Sequence, residues 1–170
     1  MKKRLTLLQM NVHVNDVEYN YNRVQELLTQ SLTENPDIIV LPETWNTGFH
    51  PSDELSTIAD RNGERTKSLL STFAKEHKVN IVGGSVAVAK DDLVFNTSYA
   101  YNREGKLVGE YSKMHGFSPA KEDKYFAGGT LTTHFELDGI PCSTVICYDI
   151  RFPELVRMAA LPGTELLFVP

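Results

Sequence analysis

Cysteine is scarce in this sequence, since Cys142 and Cys147 are the only two among 170 residues. Neither has a histidine or a further cysteine beside it at metal-ligand spacing, which excludes a zinc site and a disulfide scaffold. An excess of positive charge is also missing, because 17 Lys and Arg stand against 22 Asp and Glu, with no basic run to neutralise a phosphate backbone. Nucleic acid is therefore excluded as the expected partner, and a small polar molecule stays open.

Long apolar runs are absent as well. The N-terminal segment MKKRLTLLQMNV begins with positive charge, but its apolar stretch is short, is interrupted by Thr6 and Gln9, and lacks a small-residue cleavage site. We therefore expect no signal peptide and no membrane span, but a cytoplasmic protein whose first strand lies here. With 41% hydrophobic and 23% charged residues, the chain has the composition of one ordinary soluble domain.

Strand and helix signals alternate along the first half of the chain. Residues 3 to 11 predict a strand, after which Asp16 can cap a helix with one apolar face. The run at 38–41, IIVL, predicts a strand buried on both faces. The further predicted elements are a helix over 64–77, a strand over 80–88, a hairpin of 94–102 with 107–113, a hairpin around Asp138-Gly139 whose second arm runs to Cys147, a helix from Pro153 to about Leu161 and a strand over 166–169. This order predicts an α/β fold with a mixed sheet covered by helices.

Three reactive side chains fall at the ends of predicted strands, where ligands collect in open α/β sheets. Glu43 follows the second strand, Lys113 ends the arm 107–113, and Cys147 ends the second hairpin. Singly, each has an ordinary explanation, because a Glu or Lys at a strand end is usually solvated and a free cysteine is usually a small core residue. Together they supply the base, the cation and the nucleophile that attack by a thiol needs.

The three groups predict a division of roles. We expect the Lys113 cation to favour the Cys147 thiolate, and Glu43 to take the thiol proton and return it to the departing amine. The turn between Cys147 and the helix at Pro153 directs backbone N–H groups toward a developing oxyanion, and the Tyr148 amide is the expected donor. Ordinary turn hydrogen bonds are the alternative use of these amides. The mechanism requires the three side chains to share one pocket.

Three segments together resemble the signature blocks of the nitrilase superfamily, in that family's order: LPE at 41–43, YSKMH at 111–115 and ICYDIRFPE at 146–154. The resemblance covers essentially the whole chain. It implies a four-layer α-β-β-α sandwich, a thioester intermediate at Cys147, and hydrolysis of a small amide or nitrile without metal or organic cofactor. The segment ETWNTGF at 43–49 is most similar to the omega-amidase branch, which cleaves the terminal amide of short dicarboxylic acid monoamides.

The resemblance also assigns Glu122 to a second glutamate near the nucleophile, which orients the lysine and the substrate; a solvated loop charge is the alternative. Arg151 has the guanidinium geometry to bind a substrate carboxylate, or else forms a structural pair with Asp149 or Glu154. His115 is a rival base for the same nucleophile, in a Cys–His pair, although the neighbouring Lys113 should lower its proton affinity.

Members of this family normally continue beyond the point where this chain stops, and the apolar strand at 166–169 lacks the neighbours that it needs. We therefore expect residues 1–170 to form a single carbon–nitrogen hydrolase domain without its C-terminal portion, and a homodimer if the full-length chain exists. The functional hypotheses are an amidase, an inactive remnant that binds a partner through its sheet edge, and a thiol redox protein using Cys142 and Cys147. The spacing of the two cysteines places them on opposite strand faces, which disfavours the redox protein.

Overall fold

Two β-sheets form the centre of the molecule in the computed structural model, which describes residues 2–170. The larger sheet contains Leu5–Leu7 (β1), Ile38–Val40 (β2), Asp60–Arg61 (β3), Asn80–Val82 (β4), Val86–Lys90 (β5), Leu93–Tyr101 (β6) and Leu107–Ser112 (β7). The smaller sheet contains His134–Leu137 (β8), Ile140–Thr144 (β9) and Leu166–Phe168 (β10). The α-helices are Val17–Ser31 (α1), Leu55–Ile58 (α2), Glu64–His77 (α3), Glu122–Tyr125 (α4) and Pro153–Ala160 (α5), and short 3-10 helices cover Leu32–Glu34, Ser118–Ala120 and Cys147–Arg151.

The parallel part of the larger sheet is built from β-α-β units. Strand β2 lies between β1 and β4 and is parallel to both. All three residues of β2 are buried, as the continuous IIV run predicts. Helix α1 begins at the predicted cap, where the Asp16 carboxylate accepts a hydrogen bond from the Tyr19 amide at 3.1 Å. The first strand is shorter than the predicted 3–11, because β1 pairs with β2 along only three residues.

The antiparallel part of the larger sheet is organised by the long strand β6. It pairs with β7 on one side, which confirms the predicted hairpin, and with both β4 and β5 on the other. The prediction of one continuous strand over 80–88 is wrong, because the chain breaks between β4 and β5. At the break Gly84 has φ +60°, and a Cβ at this residue would lie 2.0 Å from the Pro42 carbonyl oxygen. This close approach brings the end of β2 against the break.

The two sheets pack face to face and are covered by helices on their outer faces. Between the sheets, Val40 and Val82 of the larger sheet pack against Phe135, Leu137 and Phe168 of the smaller one. Helices α1 and α3 cover the other face of the larger sheet, and α5 packs on the smaller sheet. The expected α-β-β-α sandwich is therefore confirmed. Within residues 2–170, no helix combines the length and the apolar character needed to cross a lipid bilayer.

Candidate active site

Glu43 is held in place by backbone contacts between the end of β2 and the break that follows β4. The Pro42 carbonyl accepts a hydrogen bond from the Ser85 amide at 3.0 Å, and the Ser85 hydroxyl accepts one from the Thr44 amide at 3.0 Å. Thr44 itself adopts a left-handed conformation with φ +43°. These bonds fix the backbone on both sides of Glu43, and its carboxylate also accepts a hydrogen bond from the Asn96 side-chain amide at 3.0 Å.

Lys113 follows β7 directly, and its side chain is only 3% exposed. Its Nζ donates to Glu43 Oε1 at 2.8 Å and to Glu122 Oε2 at 2.7 Å. Burial lowers the pKa of Lys113, but the two carboxylates outweigh burial and leave the pKa above its ordinary value. Lys113 is therefore a buried cation shared by two acids.

Glu122 lies at the first position of α4 and is 1% exposed. Its Oε2 atom accepts the Lys113 ammonium and also the Phe117 amide, at 2.6 Å. Its Oε1 atom has no hydrogen-bond partner within residues 2–170. Glu122 therefore belongs to the site through its ion pair with Lys113. Its Oε1 atom can accept a hydrogen bond from a donor outside the chain.

Cys147 begins the 3-10 helix after β9 with φ +43°, a left-handed conformation that is unusual for a residue with a side chain. Its amide donates to the Pro170 carbonyl at 2.8 Å, and its thiol is partly exposed. The pKa of the thiol is raised to about 11, because burial and then the Glu43 carboxylate raise it and the opposite effect of Lys113 is weaker. Lys113 thus favours the thiolate, as expected, but in the resting site burial and Glu43 outweigh its effect.

The acid, the amine and the thiol predicted to share one pocket do lie together. Glu43 is the common member, because it accepts a hydrogen bond from Lys113 Nζ at 2.8 Å and its charge raises the pKa of the Cys147 thiol. A protonated thiol beside a carboxylate acceptor can be deprotonated as it attacks, and a buried ammonium nearby can stabilise negative charge on a substrate oxygen. The arrangement is therefore chemically suited to nucleophilic attack by sulfur.

The other predicted site groups have different surroundings. The Tyr148 amide donates to no acceptor in the described part of the chain, as befits the first turn of a helix.

Arg151 is exposed at the end of the same 3-10 helix and forms no ion pair within residues 2–170. The alternative pairing of Arg151 with Asp149 or Glu154 is wrong, since Asp149 binds His115 and Glu154 takes part in no ion pair among these residues.

The contacts of His115 do not favour a role as the base. Its Nδ1 lies 2.9 Å from Asp149 Oδ1, and its ring stacks on Phe152 with 3.6 Å between the centroids. The second cysteine is equally remote from the chemistry, because Cys142 is buried between the sheets and both cysteines are free thiols. Neither observation supports a Cys–His pair or a redox pair.

Asn96 is a member of the site that the sequence did not reveal. It lies in β6, is 1% exposed, and donates to Glu43. The available signal was a polar amide inside a strand, which is unusual where neighbours are buried. The sequence analysis gives Asp149 only as a partner for Arg151, although its position inside the ICYDIRFPE segment places a carboxylate, buried in the structure, two residues from the thiol.

One sizeable cleft does not coincide with these groups. It has a volume of about 570 Å³, lies on the face of β5, β6 and β7, and is lined by residues such as Lys67 and Leu131. A smaller cavity of about 190 Å³ adjoins Lys113, Glu122 and Asn96. In the part of the chain that the structure describes, no group of three or more His, Cys, Asp or Glu side chains is arranged to hold a metal ion.

Comparisons with known proteins place this geometry in context. A family model for carbon-nitrogen hydrolases matches residues 4–170. The 2-oxoglutaramate amidase of Bacillus subtilis (strain 168) is 38% identical over 169 residues, covering 99% of this chain and 64% of that protein. The chloroplastic omega-amidase of Arabidopsis thaliana is 29% identical over 181 residues, covering 99% of this chain and 48% of that protein.

A solved structure has the same fold. The crystal structure of an amidase from Nesterenkonia sp. superposes on this chain with a TM-score of 0.87 and 23% sequence identity, covering 99% of this chain and 64% of that one. The present chain therefore spans less than two thirds of the length of the relatives it matches.

Proposed function

The chain belongs to the carbon–nitrogen hydrolase family, and from that premise we propose that it hydrolyses a small linear amide through a thioester on Cys147. One observation carries the proposal: Glu43 accepts a hydrogen bond from the buried Lys113 ammonium and lies close enough to the Cys147 thiol to raise the pKa of that thiol. A nucleophile, a proton acceptor and a cation thus lie together, and these are the groups that acyl transfer to sulfur requires.

The first half of the reaction forms the thioester and releases ammonia. Glu43 takes the proton from Cys147 as the sulfur attacks the amide carbonyl carbon, and the carbonyl oxygen becomes an oxyanion beside Lys113 and the Tyr148 N–H. Glu43 then gives its proton to the amide nitrogen, the carbon–nitrogen bond breaks, and ammonia leaves. The acyl group stays on Cys147.

The second half regenerates the thiol. A water molecule loses a proton to Glu43 as it attacks the thioester, the carbon–sulfur bond breaks, and the proton returns to Cys147. The sum is amide plus water giving carboxylic acid plus ammonia. Glu122 takes no proton in this scheme; its paired oxygen holds Lys113, and its unpaired oxygen is placed to accept a hydrogen bond from the substrate amide.

A base is necessary because the thiol does not ionise readily on its own. With a pKa of about 11, only on the order of one Cys147 in 10⁴ would be a thiolate at pH 7. Glu43 makes the reaction independent of this small thiolate fraction, because it accepts the proton during attack and no stable thiolate has to form first.

The test of the proposed function is release of ammonia from short omega-amides of dicarboxylic acids by the folded 170-residue chain. We expect steady release from this chain and none above background from Cys147→Ala, because the acyl intermediate cannot form without the sulfur. Circular dichroism shows whether both proteins are folded. A folded chain that releases no ammonia contradicts the proposal, and release that survives Cys147→Ala removes Cys147 as the nucleophile.

The names of the two relatives support a substrate with a carboxylate at the end opposite the amide, and we propose Arg151 as the group that binds it. Arg151 is exposed, lies four residues after Cys147 and has no ion-pair partner within residues 2–170. A guanidinium at this position can bind a carboxylate with two parallel hydrogen bonds.

Replacement of Arg151 by glutamine is expected to raise KM for a dicarboxylic acid monoamide about three- to tenfold, because an exposed charge pair contributes modestly. A neutral amide of the same length serves as the control substrate, and its KM should stay unchanged. Initial-rate kinetics with both substrates measure the difference. An equal change for the two substrates would exclude Arg151 from recognition of the carboxylate.

A second candidate function is a catalytically inactive chain that binds a partner along the smaller sheet. The observation in its favour is that β10, an apolar strand, pairs only with β9 within the described residues. The ammonia assay separates the two candidates, since the binding function predicts a folded chain without turnover.

A further inference from the structure

Asp149 is a completely buried carboxylate that takes no part in the chemistry described above. It is 0% exposed. Its Oδ2 atom accepts hydrogen bonds from the Tyr111 hydroxyl at 2.7 Å and from the Ile146 amide at 3.1 Å. Its Oδ1 atom lies 2.9 Å from the His115 amide nitrogen and 2.9 Å from His115 Nδ1. Four donor positions thus surround one buried acid, which offsets the cost of burying its charge.

The donors are distributed around the two reactive side chains. Tyr111 and His115 lie two residues before and two residues after Lys113, and Ile146 directly precedes Cys147. Asp149 itself lies two residues after Cys147. A single carboxylate therefore bonds to residues on both sides of the amine, and it joins the residue before the thiol to its own position two residues after the thiol.

The two segments that Asp149 joins come from different sheets. Lys113 follows β7 of the larger sheet, and Cys147 follows β9 of the smaller sheet. The register within a sheet is fixed by its ladder of hydrogen bonds, but two sheets that pack face to face are held by side chains, which permit small sliding movements. The bonds of Asp149 oppose such sliding at the point where the reactive groups meet.

We propose that Asp149 is the positioning residue that sets the placement of Cys147 relative to Lys113 and Glu43. The inference rests on the proposed function for its kinetic consequence. The clamp, by which we mean the hydrogen bonds of Asp149 that join the segment around Lys113 to the segment around Cys147, is a structural feature that does not depend on turnover. The ring of His115 extends the clamp to the start of α5, because it stacks on Phe152. His115 is thus part of the support for the site.

The test is the substitution Asp149→Asn, which keeps the shape of the side chain. An asparagine has one oxygen and one NH₂ group, so its NH₂ must face either the Ile146 amide or the His115 amide, both of which are donors. We expect kcat to fall about 100-fold, since a displacement near 1 Å costs this much in a preorganised site, while KM changes less than about threefold. Rates are expressed per Cys147 that iodoacetamide can label.

Asp138→Asn is the matched control. Asp138 is also a multiply bonded carboxylate, with Lys3 at 2.8 Å and Arg103 at 2.7 Å, but it lies in the turn between β8 and β9. Loss of its bonds should lower the melting temperature and leave kcat within about twofold of the unmodified chain at temperatures well below melting. A fall in kcat that is as large in Asp138→Asn as in Asp149→Asn overturns the proposal.

Tyr111→Phe gives a milder test that does not disturb the packing, because it removes only the hydroxyl. We expect kcat to fall about tenfold in the otherwise unmodified chain and to show no further loss when the substitution is added to Asp149→Asn. If Asp149→Asn does not fold, the effect of Tyr111→Phe decides the question alone. A folded Tyr111→Phe with unchanged kcat overturns the proposal.

Hydrogen exchange separates failure of this inference from failure of the proposed function. The amides of Ile146 and His115 should exchange at least about tenfold faster in Asp149→Asn than in the unmodified chain, because Asp149 is their acceptor. This measurement needs no turnover, and so it stands even if the chain releases no ammonia. Unchanged exchange of both amides in a folded Asp149→Asn protein overturns the clamp.

Discussion

Replacement of Glu43 by glutamine is expected to lower kcat by about 10²- to 10⁴-fold while it makes Cys147 easier to ionise. The two effects have opposite directions because Glu43 acts on the thiol in two ways. As a base it accepts the proton during attack, and glutamine cannot do this. As a nearby negative charge it raises the pKa of Cys147, so its removal leaves the effect of Lys113, which favours the thiolate, less opposed.

Initial rates of ammonia release measure the first effect, and the pH dependence of iodoacetamide labelling at Cys147 measures the second. The labelling midpoint should move below the value of about 11 in the unmodified chain. His115→Asn is the informative comparison, since His115 is bonded to Asp149, and we expect its kcat to fall no more than about tenfold. A larger loss in His115→Asn than in Glu43→Gln would make the histidine the base.

Labelling also separates a base from a merely structural carboxylate. If Glu43 only supported the loop, its replacement would slow turnover through disorder, which circular dichroism would detect. Faster labelling at pH 8 combined with slower turnover in a protein that stays folded is the result expected if the same side chain both disfavours the thiolate and transfers the proton. Glu18→Gln, at an exposed ion pair with Arg65, should change neither quantity.

Much of the fold could be predicted because its signals are local. The helix at α1 follows from the Asp16 cap and a regular apolar face, and the hairpin of β8 and β9 follows from Asp138-Gly139 at the turn. The break between β4 and β5 could not be predicted in this way. It depends on the Pro42 carbonyl, which approaches Gly84 from about forty positions earlier in the chain, and no local pattern reports such a contact.

The three reactive side chains of the candidate site were predictable, but Asn96 and the electrostatics of the site were not. Glu43, Lys113 and Cys147 each follow a strand, and the strand-end rule brings such residues together. The sign of the shift in the pKa of Cys147 depends on two facts that the sequence does not contain: the thiol is half buried, and the Lys113 charge is shared by Glu43 and Glu122. Because Lys113 is already paired with two carboxylates, its charge lowers the pKa of the Cys147 thiol only weakly.

Nearness in sequence was a poor guide to ion pairing at the same site. Arg151 and Asp149 are two residues apart, yet the side chains that bond to Asp149 are those of Tyr111 and His115, more than thirty positions earlier. A buried carboxylate selects donors that are themselves buried and fixed, whereas an arginine at the end of a surface turn keeps its charge in water.

Replacement of Lys113 by methionine is expected to cost about 3 to 5 kcal/mol of stability, together with a fall in kcat of about 10²- to 10³-fold. Methionine has a similar length and fills the same space, but it leaves the carboxylates of Glu43 and Glu122 without their cation. The kinetic loss follows because a developing oxyanion would lose its buried charge. Urea unfolding gives the stability, and ammonia release gives kcat.

The pH dependence of that stability difference identifies its origin. Because the pKa of Lys113 is raised in the folded chain, its ion pairs stabilise the fold fully below the ordinary lysine pKa of about 10.4, and this contribution is lost as the pH rises through the higher folded value. The gap between the unmodified chain and Lys113→Met should therefore be widest at neutral pH and narrow in strong alkali. Lys67→Met, which removes an exposed pair with Glu110 at 3.9 Å, should cost less than about 1 kcal/mol. Equal costs for the two substitutions would mean that the buried ammonium does not hold the site together.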